Sequence, residues 1–270
     1  MMKKKETCIV TGGAGFIGSH MVDLLLLEGY RVKVIDNSIK EKESNLEHAR
    51  SYSDLDLYEV DILDFDEKYF KDVKYVFHFA GIGDIVPSIE EPKEYLETNI
   101  MGTVNILDAS RKFNINKFIY AASSSCYGLA STPTSEDHNI DPQFPYALSK
   151  FQGEMATFHW GKVYGLNVNS MRIFNAYGTR SRTTGAYGAV IGTFLRQKIS
   201  NKPLTVVGDG NQKRDFIYVT DVVKAFLCAA KQGVSGEAYN LGSDNPRSVL
   251  ELTEFIGGEV VYIPKRPGEP

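Results

Sequence analysis

Tyr146 and Lys150 stand four residues apart in "FPYALSK", a spacing that puts both on one face of a helix. A phenol with an ordinary pKa of about 10 is a poor base at neutral pH, so a tyrosine that is to take a proton needs a cation beside it. The Lys150 ammonium is the neighbour this spacing supplies. Ser123, in "SSSCYG", ends a short apolar run and is suited to hydrogen-bond a reacting hydroxyl. A Tyr-x-x-x-Lys pair alone is common on exposed helices. Joined to a strand-end serine and a glycine-rich turn, it describes a set that moves a proton off a hydroxyl while a neighbouring cofactor takes up the electrons.

The glycine-rich turn is "TGGAGFIGSH", with Gly12, Gly15 and Gly18 spaced G-x-x-G-x-x-G and Phe16 and Ile17 between the last two. It follows a strand-like run and opens a helix-like one. In that context glycines permit a tight turn, bring backbone N–H groups close to a pyrophosphate, and let helix and strand approach. Asp36, roughly 20 residues further on at the tip of the second strand-like run, is a carboxylate suited to ribose hydroxyls. Asn37 rather than arginine follows it, and a carboxylate there repels a 2′-phosphate, so NAD is expected over NADP.

The elements that must carry these groups alternate. Strand-like runs lie at Cys8–Val10, Val32–Ile35, Leu57–Val60, Tyr75–Phe79 and Phe118–Ala121, separated by helix-like stretches such as Ile17–Leu27 and Tyr95–Arg111. This rhythm predicts an α/β fold: a Rossmann-type, doubly wound parallel sheet with right-handed crossovers. After Lys150 come a strand at Val168–Phe174, a Gly- and Thr-rich loop at 178–188, and short pieces as far as Pro264. The expected division is residues 1–178 for the NAD-binding domain and 179–270 for a smaller, discontinuous C-terminal substrate-binding lobe, with some later strands returning to the main sheet.

At 270 residues and 43% hydrophobic composition the chain can bury a full core. A net charge of −4, with Lys3–Lys5 read as a solvated end, excludes the basic stripe a nucleic-acid partner would need. No run reaches the roughly 20 apolar residues of a membrane helix, and no secretory apolar core follows the N-terminal lysines, so no membrane partner is expected and the cytoplasm is the expected compartment. Cys8, Cys126 and Cys228 are isolated, which predicts neither disulfides nor a metal site. Cys126 and His78, both in apolar surroundings, read as packing residues rather than nucleophile and ligand.

Seven ordered motifs together resemble the extended short-chain dehydrogenase/reductase family, in its nucleotide-sugar epimerase and dehydratase branch. They are Thr11–His20, Asp36-Asn37, His78-Phe79-Ala80-Gly81, Asn99 with Ser123–Gly128, Tyr146–Lys150, Arg172–Gly178, and Gly208–Gly210 followed by Arg214-Asp215-Phe216; a terminal Arg266–Pro270 extends the match. The resemblance implies that Asp61 and Ile62 contact adenine and that Ala80 and Gly81 line the cofactor groove. It implies that Asn99 fixes helix backbone near the site, and that Tyr146 and Lys150 also touch the cofactor. Asn175, Arg214 and Arg266 would hold the sugar-nucleotide diphosphate, for which the planar fork of arginine is well suited. Ser124 and Ser125 would face the sugar.

Within that branch, 4,6-dehydratases carry an Asp-Glu pair where this chain has Ser124 and Ser125, because elimination of water needs an added acid and base. The resemblance therefore implies a 4-epimerase of the UDP-glucose/UDP-galactose type working through a transient 4-keto sugar. The alternatives are a 4,6-dehydratase or reductase, or an NAD-binding sensor or scaffold. Gly83 and Asp84 depart from the lysine and small residue of many galactose-forming epimerases. Relatives also continue past the point where this chain stops, so a C-terminal truncation is expected. A homodimer is expected through the Tyr146 helix, with Phe151, Met155, Phe158, His159 and Trp160 on an apolar surface, and through the Tyr95–Arg111 helix.

Overall fold

The computed structural model describes residues 5–182 and 190–264. The chain runs β1 (Thr7–Thr11), α1 (Phe16–Leu27), β2 (Arg31–Ile35), β3 (Leu55–Tyr58), β4 (Val73–His78), α2 (Ile85–Glu90), α3 (Pro92–Leu96), α4 (Thr103–Lys112), β5 (Lys117–Ser123), α5 (Pro145–Tyr164) and β6 (Val168–Ile173). It continues through β7 (Asn175–Tyr177), α6 (Val190–Ile199), β8 (Leu204–Val207), β9 (Lys213–Arg214), β10 (Phe216–Tyr218), α7 (Val219–Gln232), β11 (Ala238–Leu241), β12 (Arg247–Ser248), α8 (Val249–Ile256) and β13 (Val260–Ile263).

Seven strands form one parallel sheet in the order β11-β6-β5-β4-β1-β2-β3. Both faces are covered, which is why β1, β4 and β5 are mostly apolar and β6 is buried along its whole length. The two-residue period divides them between two cores. Cys8 and Val10 join Met21, Leu25, Val222 and Phe226 of α1 and α7 on one side, while Ile9 joins Ile106, Leu107 and the inner face of α5 on the other.

The strand order reverses at β1. Thr11, its last residue, is flanked by Ile35 of β2 and His78 of β4. Gly12 therefore emerges between Asp36 and Phe79, at the carboxyl end of the sheet where such folds open a crevice.

Two sequence expectations change in detail. β3 lies two residues earlier than Leu57–Val60, because the chain leaves this edge strand after Tyr58 and Val60 turns into the crevice. The Tyr95–Arg111 segment is not one regular helix: a π-helical turn at Glu97–Gly102 joins α3 to α4. Within residues 179–270, α7 packs on α1 and β11 extends the main sheet. What does stand apart is a small apolar cluster of Phe194, Leu204, Val206, Val249 and Leu252, built from α6, β8 and α8 with β13 alongside. Among the described residues no helix is long and apolar enough to cross a membrane.

Candidate active site

The floor of the crevice is backbone. Gly12 adopts φ +68, its N–H bonds to the Ile35 carbonyl at 2.8 Å, and a Cβ there would lie 2.6 Å from the Ala80 nitrogen. A Cβ on Gly18 would fall inside the Gly12 carbonyl oxygen, so α1 approaches the turn as only glycine allows. Gly15 is the N-cap of α1, with no side-chain cap and no acid in the first turn. The first N–H groups of a 12-residue helix thus face the crevice without a side-chain acceptor, the arrangement that suits a pyrophosphate.

Asp36 is nearly buried and accepts from the Ala14 N–H at 3.0 Å and the Ser38 N–H at 2.9 Å, which ties the second strand to the glycine turn. Asn37 donates to Asp61 at 2.8 Å. Gly12, Gly15, Asp36, Asn37, Asp61, Ile62, Ala80 and Gly81 all line the crevice, while Phe16 and Ile17 begin α1 beside it. Lys42, Val60 and Thr98 line it too and carried no recognisable sequence signal. Asn45, likewise unforeseen, donates to the Ala14 carbonyl at 2.9 Å. The glycine cradle, the uncapped helix end and the ribose-side carboxylate together fit a dinucleotide.

One wall is organised by Asn99, from the π-helical turn. Its side chain accepts from the Ile82 N–H at 2.8 Å and donates to the Ile82 carbonyl at 3.0 Å and to Ser149 Oγ at 2.9 Å. Ser149 in turn donates to the Tyr146 carbonyl at 2.8 Å. Asn99 therefore ties the loop after β4 to α5. Beneath it His78 is sealed in the core, between Thr11 Oγ1 at 2.6 Å and Thr103 Oγ1 at 2.9 Å. Burial and the nearby Lys150 charge drive its pKa down to about 3. The ring is a neutral structural link.

α5 starts with Pro145 in its first turn, where a missing N–H costs nothing, and ends at Gly165 in a left-handed conformation. Its buried face brings Tyr146 to the end of β5. Ser123 Oγ accepts from the Ser125 hydroxyl at 2.8 Å and from the Ser125 N–H at 3.2 Å, and its hydroxyl lies close enough to the Tyr146 phenol to favour the ionised form. Ser124 is half-buried in the same turn.

Lys150 Nζ stacks 4.6 Å from the Tyr120 ring centre and lies 3.9 Å from where a Cβ on Gly81 would be, at the corner of the crevice. Burial lowers its pKa to about 8, against the opposing pull of Glu154. The Tyr146 phenol is pushed up, first by burial and then by the Asp84 carboxylate, and the Ser123 hydrogen bond only partly offsets this. In the protein alone the phenol is therefore protonated at neutral pH, and its activation depends on further positive charge in the crevice. Tyr95, unforeseen in the sequence, stands edge-on to Tyr146 with ring centres 6.5 Å apart.

The groups assigned to the diphosphate are less closely gathered. Asn175 Nδ2 donates to the Asp215 carbonyl at 3.1 Å, and the β7–β10 pairing brings it beside the Arg214 segment. Arg214 donates to the Lys213 carbonyl at 2.9 Å, on the short ribbon formed with β12. Arg266 lies outside the described residues. Cys126 is buried with its thiol pushed up to about 12, which makes it an inert packing group.

A seven-stranded parallel sheet with its switch point at a glycine turn, and a Ser, Tyr and Lys set at the crevice corner, defines a dinucleotide-dependent enzyme of the short-chain dehydrogenase/reductase class. The chain belongs to the NAD dependent epimerase/dehydratase family, whose model matches residues 8–242. It is 38% identical, over 97% of its length and 87% of the relative's, to a Methanocaldococcus jannaschii protein provisionally assigned as a UDP-glucose 4-epimerase. It is 34% identical, over 96% of its length and 84% of the relative's, to a UDP-N-acetyl-alpha-D-glucosaminuronate decarboxylase of Bacillus cytotoxicus. Among solved structures, the UDP-N-acetylglucosamine 4-epimerase of Methanobrevibacter ruminantium in complex with UDP-N-acetylmuramic acid matches with a TM-score of 0.94, 33% identity, and coverage of 99% and 88% of the two chains.

Proposed function

We propose that this protein is a 4-epimerase of UDP-sugars, of the UDP-glucose/UDP-galactose type, with Ser123, Tyr146 and Lys150 as its catalytic residues. The observation that carries the reading is that Ser123 approaches the Tyr146 phenol at the end of β5 while Lys150 Nζ reaches the Gly81 corner of the crevice, with hydroxyls at positions 124 and 125. The backbone of Gly12 to Gly18 holds the pyrophosphate, Asp36 the ribose, and Asp61 and Ile62 the adenine side. NAD bound there supplies the two-electron acceptor for the C4 hydrogen, together with a positive ring.

The work of this chain's own residues is then proton handling and orientation. Ser123 hydrogen-bonds the C4 hydroxyl, with its direction set by Ser125. Tyr146 Oη takes the hydroxyl proton and later returns it, and Lys150 offsets the charge that develops on the phenol. Asn175, Arg214 and Arg266 hold the diphosphate, leaving the keto sugar free to present its other face. Exposed Met101, Leu148 and Met155 lie on the π-helical turn and α5, the helices through which we propose a homodimer; Phe158 and Trp160 pack inward instead. Sedimentation of the purified protein tests that part.

The test of function is incubation with UDP-glucose, UDP-N-acetylglucosamine and a UDP-uronic acid in deuterated water, followed by NMR. An epimerase yields the C4 epimer with no deuterium on the carbon skeleton. Deuterium at carbon without loss of CO2 would mean a dehydratase, loss of CO2 from the uronic acid a decarboxylase, and net consumption of added NADH a reductase. Tyr146→Phe should lower kcat by roughly 10²–10⁴ while NAD still binds. NAD binding with no turnover of any nucleotide sugar would leave the sensor or scaffold reading.

A further inference from the structure

Asp84 is the sequence departure that the proposed chemistry leaves unused. It has φ +82, a left-handed conformation that a residue with a Cβ adopts at a cost, although Gly83 next to it could have taken that conformation freely. It stands at the N-cap of α2 but its side chain makes no capping bond. The carboxylate is instead paired with Arg182 Nη1 at 2.6 Å, from the segment that follows β7. The loop is clamped from below: Tyr95 donates its hydroxyl to the Gly83 carbonyl at 2.6 Å, and the same ring meets Tyr146 edge-on. A strained backbone thus holds a paired carboxylate beside the phenol on which the reaction is proposed to turn.

We propose that the Asp84–Arg182 ion pair, held next to Tyr146 by the Tyr95 ring that bonds Gly83 and meets Tyr146 edge-on, is a positioning pair that sets the charge around that phenol. The ionisable groups about Tyr146 are few. Asp84 acts on it from the loop before α2, Tyr95 meets it from α3, Tyr120 from β5, and Lys150 with Glu154 follows it along α5. Among the described residues Asp84 is the carboxylate that acts on the phenol directly, and it raises both Tyr146 and Tyr95, while Arg182 lowers Tyr95. The two partners have opposite signs, so their removal has opposite consequences. Asp84 is also the partner that can be changed without disturbing the backbone, because asparagine is isosteric and tolerates a positive φ.

The inference rests on Tyr146 being the base, and the experiment keeps the two apart. Tyrosinate formation is followed by ultraviolet absorbance, with the Tyr146→Phe protein subtracted to isolate this phenol, and the pH profile of kcat/KM is measured alongside. Asp84→Asn should move the Tyr146 midpoint and the acidic limb of the profile down by about 0.3–1 pH unit, and Arg182→Gln should move both up; added salt should shrink both shifts. Movement of both variants in the same direction, or an unmoved midpoint in both, would overturn the proposal. If Asp84→Asn does not fold, Arg182→Gln and the salt series decide alone. Full activity in Tyr146→Phe would remove the functional reading, yet the titration would still decide whether the pair governs this phenol.

Discussion

The two sides of the crevice are built differently. The cofactor side is backbone on a buried frame: Gly12 against Ala80, Gly18 against Gly12, Asp36 received by two main-chain N–H groups, all at the ends of strands whose side chains are sealed in two cores. The proposed sugar side is made of side chains on loops and short ribbons, such as the exposed Asp84–Arg182 bridge, Asn175 on the Asp215 carbonyl, and Arg214 on a two-residue strand. A common cofactor can be held by shape and main-chain donors that any compatible sequence supplies. A sugar can be chosen by groups that change without touching the core, and proteins similar to this chain carry different named activities on nucleotide sugars.

Gly18→Val attacks the buried side and should have the largest effect. A side chain there meets the Gly12 backbone rather than a flexible group, so a loss of about 3 kcal/mol or more is expected, read by denaturant unfolding, with NAD affinity down at least ~100-fold by calorimetry. Wild-type NAD affinity in this variant would break the comparison.

Lys150→Met joins the two sides. The lysine is charged and buried below pH 8 and held below its ordinary value of 10.5, so the unfolded chain binds the extra proton between about pH 8 and 10.5. Wild-type stability should therefore rise across that window, and below it the burial penalty is fully present. The difference of about 2.5 units corresponds to on the order of 3 kcal/mol, so the methionine variant should melt higher at pH 7 while turnover collapses. A variant both inactive and less stable would show that the amine is needed for packing.

His78→Asn tests the frame more gently. With the folded pKa near 3 and the free value at 6.5, the unfolded chain gains the proton first as pH falls, so native stability should decline from about pH 6.5 downward by up to about 1.4 kcal/mol per unit. The variant should lose that slope, seen as a flatter melting temperature against pH, though it begins less stable through its lost Thr11 and Thr103 bonds.

The smallest effect is expected at Asn175→Ala on the sugar side. It removes one partly buried bond, worth about 0.5–1.5 kcal/mol, and should raise the KM for a UDP-sugar while leaving NAD affinity unchanged. An equal loss of NAD affinity would mean the two sides are not separable.

Much of the buried frame was legible from the chain alone. Glycine spacing, the carboxylate after the second strand, alternating apolar runs and a tyrosine four residues before a lysine are all local patterns, and local backbone geometry enforces them. The nearly unbroken apolar strands needed no tertiary information to be read as a sheet covered on both faces. Less visible were the contacts between segments far apart in sequence. Tyr95 gave no sign that it would clamp Gly83 and face Tyr146, and Asn45 none that it would hold Ala14. The π-helical turn was hidden inside what reads as a continuous helix.

Sequence by itself determined the class of fold, the glycine turn after the first strand and the Tyr146–Lys150 spacing on one helix face, because turns, helix faces and strand periodicity are short-range properties of the backbone. Tertiary structure alone decided the charge environment of that pair: that Lys150 lies over Tyr120 at the crevice corner, that Tyr146 is raised by burial, and that Asp84 meets a guanidinium 98 residues away. Desolvation and Coulomb interaction depend on which distant groups surround a side chain, and the order of residues along a chain does not contain those distances until the chain has folded.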